Sequence, residues 1–443
     1  MSSQFQLLKE QRFRPLFMTQ FLGAFNDNVF KTALITLVAF RSTQLSSIDS
    51  ATLATILPGM FILPFFLFSA TAGQLADKFE KSQMIRFVKL LEIGIMLFAS
   101  IGFFLHNLVV LAIALLLMGL HSTLFGPVKY SYLPQQLSEG ELTGGNGMLE
   151  MGSFVAILLG QIFGAWLATQ PNSETLTSLC VVLLALIGYW TSRGVLITKA
   201  GAPELRINWN PITETINNLS FIWQRQSLWL AIIGIAWFWF IGATLLAQFP
   251  HFAKTTLHGD ESVFILILSV FSFGIGIGSL LCEKLSNRQV ELGLVLFGGI
   301  GLSVFGFDLS VTSASIDAAL SESLITRTYI ECLQDLRLLH LLTDLLGIGV
   351  FGGIYIVPLY AFIQSQGETS HQSRIIAANN IMNALFMVIS AVFSLWLLAL
   401  GFNISQLFLT TAFMTGLLMV CLCLKQPAYL KRFYVWASSP LSK

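Results

Sequence analysis

Asn26-Asp27-Asn28-Val29-Phe30-Lys31 sets two ionisable side chains in the middle of an apolar stretch that runs from Pro15 to Ala39. Inserting Asp or Lys at the centre of a membrane helix costs about 2.5–3.5 kcal/mol each, so such a charge faces a water-filled path or a charged partner. Asp27 and Lys31 are spaced i, i+4 with the acid first, the better order for a helix ion pair, and Gln20 extends the same stripe. The chemistry open to them is capture of a charged group, relay of a proton, or a permanent salt bridge that pins the helix to a neighbour. Polar groups recur at helical spacing in other apolar runs: Asn146, Glu150, Ser153 and Gln161 on one side of one, Asn379 and Asn383 on another. For these the structural alternative is interhelical hydrogen bonding, worth about 0.6 kcal/mol on average in a membrane. Glu92, two turns into its span and beyond Arg86 and Lys89, is expected to pair locally.

The elements that must position these residues are membrane-spanning helices. Of 443 residues, 55% are hydrophobic and only 11% charged, with a mean hydropathy of +0.76, far from the roughly 25% charged usage of soluble domains. Runs long enough to cross about 30 Å of hydrocarbon occur at 15–40, 53–76, 83–105, 107–127, 144–168, 175–196, 227–250, 262–284, 290–307, 341–363, 376–400 and 404–424. The fold class is therefore an all-α polytopic membrane protein of about 12 transmembrane helices. With both termini cytoplasmic, only Arg41, Lys254, Arg327 and Arg337 lie outside and Lys31 lies in the membrane; the other Lys and Arg residues fall inside, the partition that retention of cationic loops demands. The first span has the full length of a crossing, not a short cleavable signal core. The five cysteines lack CxxC or metal-type spacing, so neither a disulfide nor a metal is expected from them.

An internal repeat divides the chain. Gly73-Gln74-Leu75-Ala76-Asp77-Lys78 after the second span is echoed by Gly278-Ser279-Leu280-Leu281-Cys282-Glu283-Lys284 after the eighth, 205 residues on. Gly144-Gly145-Asn146-Gly147-Met148-Leu149-Glu150 is echoed by Ala377-Ala378-Asn379-Asn380-Ile381-Met382-Asn383 at an offset of 233. A long outer connection at about 308–340, to which the pattern assigns no role beyond room for a short surface helix, absorbs the difference. Two parallel six-helix repeats follow: 1–196, a cytoplasmic linker at 197–226 containing Pro203 and Pro211, and 227–443. Parallel repeats with a site near the midplane are a transporter architecture. Asp77 and Lys78 follow a helix end on the cytoplasmic side, where an acid can bond across to the other half, so with Gly73 they are the candidate gate. Gly160-x-x-x-Gly164 and Gly274-x-Gly276-x-Gly278 permit close helix approach; no GxxxxGK[ST] occurs, so nucleotide hydrolysis is not expected. The Trp237-Phe238-Trp239-Phe240 run could line a passage for an acyl chain or serve as lipid-facing filler.

Gly73-x-x-x-Asp77-Lys78 with Lys81 and Arg86 resembles the loop signature of the major facilitator superfamily, with Glu80 and Ser82 departing from its usual tail. Gln20-Phe21-Leu22-Gly23-Ala24-Phe25-Asn26-Asp27-Asn28, Gly126-Pro127-Val128-Lys129-Tyr130 and Asn146-Gly147-Met148-Leu149-Glu150 are similar to the bacterial lysophospholipid transporter branch. Gly276 to Lys284 resembles its subgroup fused to an acyltransferase. The resemblance covers nearly the whole chain. It implies an inner-membrane carrier that moves lysophospholipids, chiefly lysophosphatidylethanolamine, for reacylation, acting as a monomer with a separate acyltransferase as partner. No nucleic-acid partner, cofactor or enzymatic activity is expected; none of the six histidines begins His-x-x-x-x-Asp, His340 and Asp344 being one residue too close.

A zwitterionic phosphoethanolamine headgroup needs a cation for its phosphate and an acid for its amine. Asp27 and Lys129 supply that pair, although Lys129, near a helix end, could equally snorkel to the interface. The expected substrate-binding set is Asn26, Asp27, Asn28, Lys31, Lys129, Tyr130, Asn146, Glu150, Gln248, Asn379 and Asn383. Gln248 enters as the polar candidate of the seventh span, where such carriers have an Arg and this chain reads Gly242-Ala243-Thr244-Leu245-Leu246-Ala247-Gln248. Two other functions are carried: an exporter of amphiphilic compounds, proton-coupled through Asp27 or Glu150, and a non-transporting membrane partner of an acyltransferase.

Overall fold

The computed structural model describes residues 4–45, 50–320, 326–366 and 370–438. Among them every regular element is a helix: α1 (Gln4–Leu7), α2 (Arg14–Leu45), α3 (Ser50–Lys78), α4 (Lys81–Phe104), α5 (Leu108–Gln136), α6 (Glu139–Thr169), α7 (Ser173–Ser192), α8 (Pro211–Trp223), α9 (Gln226–Thr255), α10 (Glu261–Leu285), α11 (Gly293–Leu320), α12 (Tyr329–Gln334), α13 (Leu336–Ser365), α14 (Gln372–Ala399), α15 (Ile404–Lys425) and α16 (Ala428–Ser438). Eleven of these are long and apolar enough to cross a membrane. The exception among the expected spans is α2, whose 32 residues extend about 48 Å at 1.5 Å per residue. It has the length of a crossing, and its Asn26-Asp27-Asn28 and Lys31 lower its apolarity.

The spans run past their expected ends, because intrahelical hydrogen bonding continues wherever polar side chains find partners. The motif Gly73–Lys78 is not a turn but the last turns of α3, and Gly278–Lys284 belongs to α10. Lys129 sits inside α5, which continues through Pro127 and Pro134 to Gln136. Likewise α11 does not stop at 307. Ser310 Oγ donates to Ser405 O of α15 at 2.8 Å and Ser313 Oγ lies 2.9 Å from Ser405 Oγ, so the small polar residues after Asp308 are satisfied inside the bundle. The 308–340 region thus holds the end of α11, the short α12 and the start of α13. A bridge of Asp260 N to Arg327 O (3.0 Å) and Arg327 N to His258 O (2.7 Å) ties it to the α9–α10 turn. The second half of the expected linker is largely the helix α8, capped by Asn210 Oδ1, which accepts from Ile212 N and Thr213 N.

The helices cluster into two compact units. One comprises Met1–Ser138, Val155–Gln226 and Ile363–Ala384; the other comprises Glu139–Phe154, Ser227–Phe362 and Leu385–Lys443. One junction falls at 226/227, another falls between α5 and α6, and the remaining cuts pass through α6, α13 and α14. In the first unit α3 and α4 pack on α5, and α2 and α4 on α7, around a core of Val29, Phe30, Leu34, Ile95, Met96, Leu111 and Leu115. Gly160 and Gly164 bring α6 against the α2 backbone: a Cβ at Gly160 would stand 2.7 Å from Phe25 O, and one at Gly164 2.5 Å from Val29 O. Small residues at this spacing let membrane helices touch backbone to backbone. They fix α2 at the turn that carries Asp27. In the second unit α11 packs on α15 and α16.

Candidate functional site

α2 presents its polar residues to three different neighbours. Asn26, fully buried, donates from Nδ2 to Glu92 Oε1 of α4 at 2.8 Å. Asp27 Oδ2 accepts from Ser122 Oγ of α5 at 2.7 Å. Asn28 turns back to its own helix, donating to Ala24 O at 2.8 Å. Each keeps one enclosed oxygen, Asn26 Oδ1, Asp27 Oδ1 and Asn28 Oδ1, with no hydrogen-bond partner among the described residues. Lys31 does not close an ion pair with Asp27; its ammonium lies 5.5 Å from the centroid of the Phe61 ring. The i, i+4 spacing is present, but Asp27 is held by Ser122 and Lys31 by an aromatic face.

Ser122, Gly126 and Lys129 stand at i, i+4 and i+7 on α5, one face of a helix. Asp27 meets this face at Ser122. One turn on, a Cβ at Gly126 would lie 2.6 Å from Asn380 Nδ2 of α14, so glycine admits α14 there. Lys129, its ammonium 4.7 Å from the Tyr130 ring centroid, follows about 10 Å along the axis from Ser122 at 1.5 Å per residue. Asn379 and Asn383, also on α14 and buried, leave both polar atoms of Asn379 and Oδ1 of Asn383 unpartnered. An orphaned buried polar group costs about 1–3 kcal/mol; water or a ligand would relieve it. The first unit therefore holds Asn26, Asp27, Asn28, Lys31, Lys129, Tyr130, Asn379 and Asn383. Asn146, Glu150 and Gln248 belong to the second: Asn146 and Glu150 are buried, Gln248 half-buried on α9. The Trp237–Phe240 run is mostly interior to that unit, with Trp237 stacked on Phe240 at 4.6 Å and donating to Thr415 Oγ1 at 3.1 Å.

The expected gate residues meet the start of α14 in a buried hydrogen-bonded cluster. Asp77, fully buried in the last turn of α3, accepts from Ser373 N at 2.9 Å and from Arg374 Nε at 3.1 Å. Gly73 makes this approach feasible, since a Cβ there would stand 2.6 Å from Ala377 Cβ. Lys81, not Lys78, supplies the buried cation: its Nζ donates to Ala76 O at 3.2 Å and to Ser373 Oγ at 3.5 Å, and Ser373 Oγ donates to Ser131 Oγ at 2.9 Å. Lys78 is half-buried beside it. Between α3 and α4, Glu80 caps α4 through Ser82 N and Gln83 N, both 2.8 Å, and accepts from Thr198 N at 2.8 Å. Burial pushes its pKa up, but the bonds from the Ser82 hydroxyl and from the Thr198, Ser82 and Gln83 backbones outweigh that and hold it below the usual value.

Sequence reasoning missed the partners. Glu92 pairs with Lys89, as expected, but Arg86 donates instead to Val195 O at 3.2 Å, and His121 Nε2 of α5 stands 3.4 Å from Glu92 Oε2. The Lys89 ammonium occupies room left by two glycines: a Cβ at Gly23 would lie 3.1 Å from Nζ, and one at Gly188 2.8 Å from Cε. A lone histidine in an apolar span carried the same signal as Asp27 and could have been found by it. Ser122, Ser131, Ser373 and Arg374 gave none, being ordinary at a helix face or end.

Charged and polar groups enclosed in a bundle of long apolar helices, with an acid–arginine latch joining two helix ends, define a multi-pass membrane transporter. The sequence profile of the Major Facilitator Superfamily matches residues 16–326, and the chain belongs to that family. It is 27% identical over 387 residues to a protein named Lysophospholipid transporter LplT from Escherichia fergusonii, a match covering 86% of this chain and 88% of that one. A protein of the same name from Escherichia coli O7:K1 is 27% identical over 390 residues, with the same coverage. Among solved structures, the transporter FucP in its outward conformation superposes with a TM-score of 0.68 at 12% identity, over 94% of this chain and 98% of its own. The human organic anion transporter MFSD10 gives 0.67 at 12% identity, over 96% and 99%. At such identity these two show the fold.

Proposed function

We propose that this chain is a secondary transporter that moves lysophospholipids, of the lysophosphatidylethanolamine class, across the bacterial inner membrane by alternating access. Both termini are cytoplasmic, 1–196 and 227–443 are the moving bodies, and 197–226 links them. The relatives' name supports the substrate class. One observation of this chain carries the reading: a carboxylate oxygen of Asp27 is enclosed and unpartnered on the α5 face that also bears Lys129. An ammonium group would satisfy Asp27, and Lys129 lies along the same stripe for a phosphate. Asn26, Asn28, Lys31, Tyr130, Asn379 and Asn383 complete the first set, Asn146, Glu150 and Gln248 are the candidate substrate-binding residues carried by the second unit, and Gly73, Asp77 and Lys78 belong to the gate. The chain itself catalyses no covalent step, and a separate acyltransferase consumes what it delivers.

Purified protein in liposomes should move labelled lysophosphatidylethanolamine between leaflets, read by back-extraction. Asp27→Ala and Lys129→Ala should each abolish the movement. Unchanged flux in both variants would overturn the assigned site, and no flux in the unaltered protein would overturn the function.

A further inference from the structure

His340 and Asp344, one residue short of an acyltransferase spacing, stand at i, i+4 in the opening turns of α13 and so on one face. The extension of α11 past the expected span end brings Asp308 to that face. His340 Nε2 lies 3.0 Å from Asp308 Oδ2 and 3.8 Å from Asp344 Oδ1, and one ligating atom from each residue falls within 4.8 Å of the others. Asp344 is 1% exposed, and its Oδ2 is enclosed without a hydrogen-bond partner. The cation Arg327, nearby in sequence, is occupied by Asp335 at 3.0 Å.

We propose that Asp308, His340 and Asp344 form a site for a divalent transition ion of the zinc class. Zinc takes histidine nitrogen and carboxylate oxygen at about 2.0–2.2 Å, which in a tetrahedron sets neighbouring donors about 3.4 Å apart. The separations of 3.0 and 3.8 Å bracket that value. Two carboxylates and a neutral imidazole balance a divalent charge, and the partly open Asp308 and His340 leave the remaining coordination position to water. The ion would clamp α11 to α13 where the two helices already touch, a Cβ at Gly347 standing 2.5 Å from Phe305 Cδ1.

The full chain, purified without an affinity tag, is titrated with Zn2+ by calorimetry and with Co2+ by visible absorption. One Zn2+ per chain, a tetrahedral Co2+ spectrum and a raised unfolding temperature in Zn2+ are expected. His340→Gln and Asp308→Asn, at half-exposed positions, should weaken binding by about tenfold or more, since losing even an outer-shell partner of a metal ligand costs about 10–100-fold. His106→Gln and His251→Gln, exposed histidines elsewhere, should bind as the unaltered chain does. Absence of stoichiometric uptake by the unaltered protein, or equal uptake by His340→Gln, would overturn the site. Neither readout involves lipid movement, so the outcome is independent of the transport assignment.

Discussion

Asp77→Asn tests the latch, because it changes charge at nearly constant volume. In the native chain the carboxylate accepts from Ser373 N at 2.9 Å and Arg374 Nε at 3.1 Å while fully buried. Hydrogen bonds to a charged group contribute about 1.5–3 kcal/mol against about 0.5–1.5 for neutral ones. Removing the charge from two of them therefore weakens the latch by about 2–3 kcal/mol. Where the bonds exist in one conformation only, that is about a 30- to 150-fold shift toward the unlatched state. Arg374 keeps its bond from Nη2 to Ser370 O at 2.8 Å, so the variant does not leave the guanidinium without a partner. The reporter is Ser131→Cys, nearly isosteric, fully buried and in contact with Ser373, in a chain whose five native cysteines are replaced by serine. Its alkylation by a membrane-permeant maleimide should accelerate in proportion to the unlatched population. An acceleration below about threefold would refute the assignment of Asp77 as a conformational latch.

Glu92→Gln should destabilise the protein by about 3–5 kcal/mol, the cost of leaving a buried ammonium, here Lys89, without its counter-charge; adding Lys89→Met should restore most of the loss. Thermal unfolding in detergent, followed by tryptophan fluorescence, reads both, and a single variant as stable as the unaltered chain would show that the pair is solvated. Glu80 gives a pH dependence. Its folded pKa lies below the ordinary 4.5, so its stabilisation is present above that value and is lost as pH falls through the folded pKa. Glu80→Gln should therefore lower the unfolding temperature near neutral pH, and the deficit should shrink below about pH 4.5. A deficit that stays constant down to acid would rule out the carboxylate as its source.

What the sequence made legible was whatever the bilayer penalises. The long apolar helices and the enclosed Asp27 announce themselves because charge and apolar length carry large, local costs. Helix ends did not, since Gly73–Lys78 and Ser310–Ser315 look like loop material until their tertiary partners are known. The latch partner of Asp77 was hidden for the same reason: Arg374 lies 297 residues away, and nothing local distinguishes it from an interfacial arginine. The i, i+4 pairing of Asp27 with Lys31 illustrates the converse error. Spacing fixes a shared face, yet Ser122 and Phe61 compete for the two side chains, and local pairs on a helix are worth only about 0.2–0.5 kcal/mol.

Asp27 and Glu92 of the first unit therefore answer to different demands. Glu92 is charge-paired: an ammonium and an imidazole stand beside one of its oxygens, an amide donates to the other, and two glycines make room for the lysine. Such an arrangement cannot release a partner without stranding a buried charge, which suits a fixed brace between α2, α4 and α5. Asp27, one residue from Asn26 in that brace, holds a single hydroxyl and keeps an oxygen in reserve. The substrate-binding role proposed for Asp27 requires that contrast. A charge that is to bind and let go must be positioned by rigid neighbours but not neutralised by them, because any affinity spent on an internal partner is subtracted from the substrate. Placing the brace one residue from the open carboxylate fixes Asp27 in position without pairing it.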